Sequence, residues 1–597
     1  MTAAIQDSGR PSREDFEALR PILLNHTLWC LIATVVIAGN FTGWSLAGLN
    51  ASLGDTDDAT RLVQVRTWLA GASWFDLRLA NIGAPEGLVS HWSRLIDLPL
   101  AMLLALFGTV LSPAKAELAV RVVWPSLLLF VFLRLATREL ARQFGALSAG
   151  LFVLFAITSA SAMLQFMPGR IDHHNAQIVC AIGGVLVLMR ALDDVRQAAI
   201  AGAILGLGLA IGYESLPLTI PALAIVALVG AFRSDVAETA ANATVAFAAV
   251  LMAALCMTTS ATRLTTIVCD ALSANLVGAS LVAAVGVTIV ARHHERLGVV
   301  GRLAVLAVGG FLALGVYVVM EPACLAGPFG QVDPRVKPIW LDHVFETRPI
   351  AQFLADDPMP ARLILALGGL GLAAQVLSVV RRPELRHWFL LAMVALGFVC
   401  SLWQVKFTSY GGLLAIVALS IFIASVDGVG SISAPTVRAG AFLLVSQPLA
   451  AIILAAVLPV ATQDRPYPSA ACTGTLNLSR LASLSPGRIA SELNLGPFIA
   501  ALTPHQVIAA PYHRLDKKLI ETHAMFSAAP AEAKSELRRM GATYLAACVQ
   551  PARKGAYVWP AGSLRALINA NVVPDFLVPV ELGSPETPLR VWRVVTD

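Results

Sequence analysis

Thirteen apolar runs decide what this chain can fold into. They lie near 22–47, 118–140, 145–166, 175–192, 198–213, 216–232, 240–258, 276–291, 302–320, 360–380, 387–403, 408–426 and 437–460. A helix needs about 20 predominantly apolar residues to cross a bilayer, and runs of this length, one after another, predict a mostly α, polytopic membrane protein. Composition agrees: 57% of the 597 residues are hydrophobic and 14% are charged, where soluble chains carry roughly a quarter charged residues. The net charge of +5 is modest. It fits basic cytoplasmic loops and excludes nucleic acid as a partner.

Arginines set the expected orientation. Arg138 and Arg142, Arg190 and Arg196, Arg233, Arg292 and Arg296, and Arg381, Arg382 and Arg386 fall in alternate loops, which places those loops in the cytoplasm. Residues 1–20 read as a polar cytoplasmic tail. The first apolar run begins near Ile22 and is too long for a cleavable signal peptide. Residues 98–111 are apolar but short, and are read as an interfacial or re-entrant piece of the first external loop. Four polar regions then face outward: 48–117, 167–174, 321–359 and everything after about 463. Residues 21–462 form the membrane domain. Residues 463–597 break from it in composition, alternating strand-like runs (507–510, 544–547, 576–580, 590–594) with helix-like runs (531–540, 562–571). They predict a small soluble α/β domain on the outward, non-cytoplasmic side. No internal repeat or low-complexity tract is visible. Cys30, Cys180, Cys256, Cys269, Cys324 and Cys400 lie in or beside apolar segments and read as inert thiols. Cys472 and Cys548 either bridge or remain buried thiols.

Chemistry concentrates where the apolar runs end. Arg170-Ile171-Asp172-His173-His174 is a knot of ionisable groups between two spans, a costly place for charge unless it is wet or paired. Asp172 and His174 can offer an oxygen and a nitrogen to one divalent ion. The plainer reading is a polar loop with His173 capping a helix. Asp55, Asp57 and Asp58 open a helical pattern and serve either as a cap or as the other half of a metal site. His91-Trp92-Ser93-Arg94 reads first as an interfacial anchor. The long loop 321–359 carries Glu346 and Arg348 and has the make-up of a loop that orders over substrate. Lys406 between two spans is either a snorkelling lysine or a phosphate ligand. Glu214 is another boundary charge, without an assigned role. His505, His513 and Arg514 flank a strand-like run and read as surface groups or acceptor contacts.

Four of these stretches together resemble the catalytic subunit of oligosaccharyltransferase and its bacterial and archaeal relatives, within the C-type membrane glycosyltransferases. Asp57 with Arg66 is similar to the family's first-loop aspartate and downstream arginine. Asp172-His173-His174 resembles its second motif in the archaeal form. Val344-Phe345-Glu346-Thr347 resembles its Ser-Val-Ser-Glu motif, and Lys406-Phe407-Thr408-Ser409-Tyr410 its Arg-Phe-x-x-Tyr. Two departures stand out. The C-terminal region has no Trp-Trp pair, so the acceptor-reading Trp-Trp-Asp motif is missing, and lysine replaces the arginine at 406. The resemblance therefore implies a fold and a donor class rather than an asparagine acceptor.

What it implies is an inverting transfer of a sugar from a polyprenyl-phosphate-linked donor to a glycan, lipid or protein in the periplasm. A divalent cation, Mg²⁺ or Mn²⁺, would sit on Asp57, Asp172 and His174. Lys406 and Arg170 would meet the donor phosphate, and Asp57 or Glu346 would orient the acceptor. Asp55, Asp58, Arg66, His91, Arg94, His173 and Arg348 would support them. The competing expectation is a transporter or flippase of a lipid-linked glycan. That class places ionisable groups mid-helix, whereas these runs are nearly charge-free.

Overall fold

Hydrocarbon offers backbone N–H and C=O groups no partners, so a chain of this composition must pair them within helices. The computed structural model describes residues 25–458, 470–549, 558–582 and 587–595; the tail at 1–20 lies outside them. Among the described residues, nine helices are long and apolar enough to cross a membrane. Two further helix pairs, Ala146–Thr158 with Ala160–Phe166 and Ala434–Val445 with Gln447–Val457, are bent by 87° and 57°. The shorter apolar helices His26–Thr42 and Val195–Ile211 stand at the first and fifth expected positions. Every one of the expected runs is helical.

Burial sorts the helices into inner and outer. His174–Ala191 is 89% buried and forms the middle of the bundle, whereas Val299–Met320 is 6% buried. The latter exposes Val300, Phe311 and Val319, a face that only lipid or another apolar surface can cover. Inner helices approach closely through small residues: a Cβ on Gly202 would lie 1.9 Å from the Ala243 carbonyl oxygen. The stretch at 98–111 belongs to a helix, Arg94–Gly108, of 15 residues. That is about 22 Å of rise, short of the ~30 Å of hydrocarbon. Ile96, Leu100 and Ala101 face inward from it, and Leu98, Met102 and Leu106 are exposed.

Two sheets lie at one end of the bundle. β1 (Arg78–Leu79) and β2 (Leu88–Val89) form a small hairpin in the first loop. The C-terminal domain holds β3 (Arg488–Ser491), β4 (Gln506–Val507), β5 (Tyr544–Cys548), β6 (Leu577–Pro579) and β7 (Leu589–Val594) in the order β4-β3-β5-β7-β6. β4, β3 and β5 run parallel, and β7 pairs antiparallel with β5 and β6. Helices Pro530–Arg539 and Leu564–Asn569 fall on the two helix-like runs. β3 was not among the expected strands. Its four residues, Arg-Ile-Ala-Ser, hold a single β-branched side chain and no aromatic one, so nothing local announces a strand.

The first loop is built into this sheet. Val507 donates to the Asn81 carbonyl at 2.9 Å and accepts from Gly83 and Ala84 at 2.9 and 3.0 Å. Gly83 sits at φ +78°, and a Cβ there would come within 2.5 Å of Leu515, so the close approach needs glycine. Disulfide Cys472–Cys548 resolves one open expectation. Disulfide Cys269–Cys324 corrects another. Those two cysteines are not inert membrane thiols: they tie the segment after helix Ser234–Thr258 to the start of the long loop.

Candidate active site

The helix Thr56–Leu69 begins with a capping box. Asp55 Oδ1 accepts from the Asp57 and Asp58 amides at 2.9 and 3.0 Å, and Asp58 Oδ2 accepts from the Asp55 amide at 3.3 Å. Cap and site are therefore not alternatives. Capping uses Asp55 and Asp58 and leaves Asp57 facing the cavity. Asp58 also reaches across to the second motif, accepting from the Ile171 and Asp172 amides at 2.7 and 3.2 Å. Asp172 Oδ1 accepts from the His174 amide at 3.0 Å and starts the helix His174–Ala191; His173 makes no side-chain cap.

Arg170 binds Asp55 and Asp172 directly and lies 3.4 Å from Asp58. Ligand atoms of Asp55, Asp58 and Asp172 all fall within 4.8 Å of one another. Burial pushes Asp172 up, but Arg170, His174 and His173 outweigh it and hold it at about 2. Burial and the Asp172 charge leave Asp58 well above the usual carboxylate range. Asp57 is pushed up to about 7, first by burial and then by the facing charges of Glu346 and Asp172. Glu346 arrives from the long loop and lies 3.9 Å from His174 Nε2. The backbone holds it there, since the Arg348 carbonyl accepts from the Val405 amide at 2.9 Å, next to Lys406. Lys406 makes no ion pair among the described residues and, with Asp57, His174 and Glu346, lines a cavity of about 2350 Å³.

The other expected supporters are spread more widely. His173 lies 3.4 Å from Glu214, which also accepts from Gln177 at 2.7 Å. Glu214 is thus part of the site's wall. Arg66 pairs with Glu117 at 2.6 Å and donates to the Ala501 carbonyl at 2.6 Å, fastening the C-terminal domain away from the cluster. Arg94 pairs with buried Asp97, which also binds Arg61. Arg348 pairs with Asp356. Trp92 is not an interfacial anchor. It is 3% exposed, packs edge-on to Tyr512 and lies under the Arg61 guanidinium. Arg61 and Tyr512 hold it in the interior, where its sequence context suggested the surface.

Residues that sequence reasoning passed over complete the picture. The Tyr512 hydroxyl lies 2.8 Å from Thr60 Oγ1, 2.9 Å from the Thr56 carbonyl and 3.2 Å from Asp57 Oδ1. Asp270 receives two bonds from Arg514, Nε and Nη2 each at 2.7 Å, and one from His513 at 2.5 Å. His91 packs against His513 with ring centroids 4.8 Å apart and the rings tilted by 56°. Burial pushes Asp270 up, but Arg514 and His513 hold it far below the usual carboxylate range. Burial and His513 depress His91. His513 and His505 are therefore not surface groups. His505 is fully buried, donating to the Leu481 carbonyl and accepting from the Gly487 amide. Tyr512 adjoins His513 in the sequence, but nothing local distinguishes it. Asp270 adjoins a cysteine outside the four expected polar regions.

No protein-family model matches the sequence, and no curated protein sequence matches it. The fold does match solved structures. The archaeal oligosaccharyltransferase AglB from Archaeoglobus fulgidus, in complex with an inhibitory peptide and a dolichol-phosphate, aligns over 89% of this chain and 70% of its own, at 14% identity and TM-score 0.66. The apo form of the Archaeoglobus fulgidus oligosaccharyltransferase aligns over 88% and 70%, at 14% identity and TM-score 0.65. Its complex with Zn and sulfate aligns over 87% and 68%, at 13% identity and TM-score 0.58. The chain shares the fold of these membrane glycosyltransferases, as the four motifs implied.

Proposed function

We propose that this protein is a membrane glycosyltransferase that moves a sugar from a polyprenyl-phosphate-linked donor to an acceptor on the periplasmic side of a bacterial inner membrane. One observation carries the reading: Asp57, His174, Glu346 and Lys406 come from four separated loops to line one cavity, with Asp172 fully buried behind them and close enough for its charge to raise Asp57. Solved proteins of the same fold are described with a dolichol-phosphate, an acceptor peptide and zinc, which supports a lipid donor and a metal here.

The expected trio of metal ligands draws on two separate sets whose ligating atoms lie within 4.8 Å of one another, Asp55 with Asp58 and Asp172, and His173 with His174 and Glu214; it takes one member from each and adds Asp57. Three aspartates, Asp55, Asp58 and Asp172, face one guanidinium, Arg170, and Asp57 is raised first by burial and then by the charges of Glu346 and Asp172. Asp57, Asp172 and His174 would hold Mg²⁺ or Mn²⁺, oxygen-rich with one imidazole. When bound, the ion neutralises a leaving phosphate. The chain's own groups do the rest. Lys406 brings an unpaired ammonium to the phosphate. Arg170 locks Asp55, Asp58 and Asp172 into one geometry. Tyr512 fixes the Asp57 carboxylate. Glu346, nearly half exposed on the long loop, is free to accept a hydrogen bond from the incoming hydroxyl or amine on the face opposite the phosphate, which gives inversion without a covalent intermediate.

Transfer of labelled sugar from a polyprenyl-linked donor, wild type against Asp57→Ala and Asp172→Ala, tests the proposal. Turnover should vanish in both variants. Equal turnover in wild type and variants would remove the metal and the site. No transfer in wild type alongside measurable lipid or solute flux would favour a transporter.

A further inference from the structure

The cavity extends past Tyr512 into the C-terminal domain, where a second set of polar groups waits. Ligands of open α/β sheets sit beyond the carboxyl ends of parallel strands. Here the parallel strands β3 and β5 end at Ser491 and Cys548, and Glu492 follows β3 immediately. Glu492 Oε1 accepts from the Cys548 amide at 3.0 Å and from Arg565 Nη2 at 2.5 Å. Arg565 Nη2 also donates to the Cys548 carbonyl at 2.9 Å. The remaining donors of Arg565, Nε and Nη1, are buried and meet no acceptor among the described residues, although Arg565 is only 7% exposed. Buried donors left unmet are costly, and such groups ask for an explanation. The Arg565 guanidinium lies over the Phe526 ring at 5.9 Å. Trp559 packs against Phe526 at 5.9 Å and His523 at 5.5 Å. Glu492, His523, Phe526, Trp559 and Arg565 line the same cavity as Asp57 and Glu346.

We infer that this lobe is a carbohydrate-binding subsite that holds the acceptor, an inference that rests on the glycosyltransferase reading of the cavity. Sugar hydroxyls both donate and accept. A carboxylate beside a guanidinium with spare donors suits two neighbouring hydroxyls, one giving to Glu492 and the next accepting from Arg565. The aromatic wall of Trp559 and Phe526 suits the apolar face of the ring. A simple anion fits less well, because Glu492 already offsets the charge of Arg565. An extended peptide would pair with an open strand edge. The edge of β4 is taken by Asn81–Ala84, and β6 does not line the cavity.

The test is saturation-transfer NMR on the full chain in lipid nanodiscs. The probes are the methyl glycosides of glucose, galactose, mannose, N-acetylglucosamine and glucuronic acid, and in a separate arm an acetylated Asn-Ala-Thr peptide. At least one glycoside should take up saturation from wild type. Its apparent affinity should fall about tenfold in Arg565→Ala and in the milder Glu492→Gln, whose melting temperature checks folding. Absence of transfer to every glycoside, or transfer unchanged in both variants, overturns the inference. Peptide binding that depends on Arg565, without glycoside binding, also overturns it. Binding is read apart from turnover. A wild type that binds a glycoside through Arg565 but transfers no sugar from a polyprenyl-linked donor removes the enzyme reading and keeps the subsite. Transfer without such binding does the reverse.

Discussion

Arg170 meets three carboxylates; Asp270 meets an arginine and a histidine. Both knots are buried, both line the same cavity or border it, and both join segments far apart in the chain. Their balance differs. Around Arg170 three carboxylates share one guanidinium, and beside them Asp57, raised by burial and by the charges of Glu346 and Asp172, lines the cavity. Around Asp270 every charge has a partner within 2.7 Å, and the carboxylate is held low. A buried cluster with surplus charge is poised to take a counter-ion, while a neutral one serves mainly to fix register. The first knot is read as the reaction centre and the second as a latch joining the C-terminal domain to the segment before helix Ala274–Arg292.

Breaking each knot should have a different kind of consequence. Asp172→Ala should cost the most, lowering transfer by roughly 10³-fold while the melting temperature stays near wild type; a large drop in melting temperature would say that the cluster is structural. Asp270→Asn should do the opposite, leaving the chemistry in place but loosening the C-terminal domain by about 3 kcal/mol, read as faster proteolysis at neutral pH. The sign with pH is fixed. Burial raises Asp270, yet Arg514 and His513 outweigh it, so its folded value lies below the ordinary one near 3.9. Its contribution is fully present above about pH 4 and is lost as pH falls below that. Wild type and Asp270→Asn should therefore converge in acid melts only under about pH 4. Replacing Cys269 and Cys324 together by serine should cost about 2–4 kcal/mol, seen as a lower denaturation midpoint and not as lost turnover at low temperature. The smallest effect sharpens the comparison: Lys406→Ala should raise the donor KM about tenfold, and Lys406→Arg should restore it. No change on Lys406→Ala would leave the phosphate without its cation.

Much of this architecture could be read from residue order. Spans are legible because length and apolarity are local properties, and even the short helix Arg94–Gly108 declared itself too short to cross. Asp57, Asp172, His174, Glu346 and Lys406 were legible because each stands in a short stretch that resembles a known motif. Their convergence was an inference from topology. Pairings with no local signature were not legible. Cys269 and Cys324 are 55 residues apart and looked like membrane thiols because each adjoins an apolar helix. Trp92 looked like an anchor because Trp beside Arg is the usual interfacial pattern. The partners that bury it, Arg61 and Tyr512, come from another helix and another domain. Asp270 acquires its partners only when residues 513 and 514 dock, 243 and 244 positions later.

The bond from Tyr512 to Asp57 joins residues 455 positions apart, and Val507 is hydrogen-bonded to the loop at Asn81–Ala84. Chain growth therefore sets a timetable. The first loop emerges early, yet its aspartate acquires its aromatic clamp only after the last domain has folded against it. Until then a ribosome-bound chain can have every apolar helix in place and still lack the Tyr512 contact that completes the surroundings of Asp57.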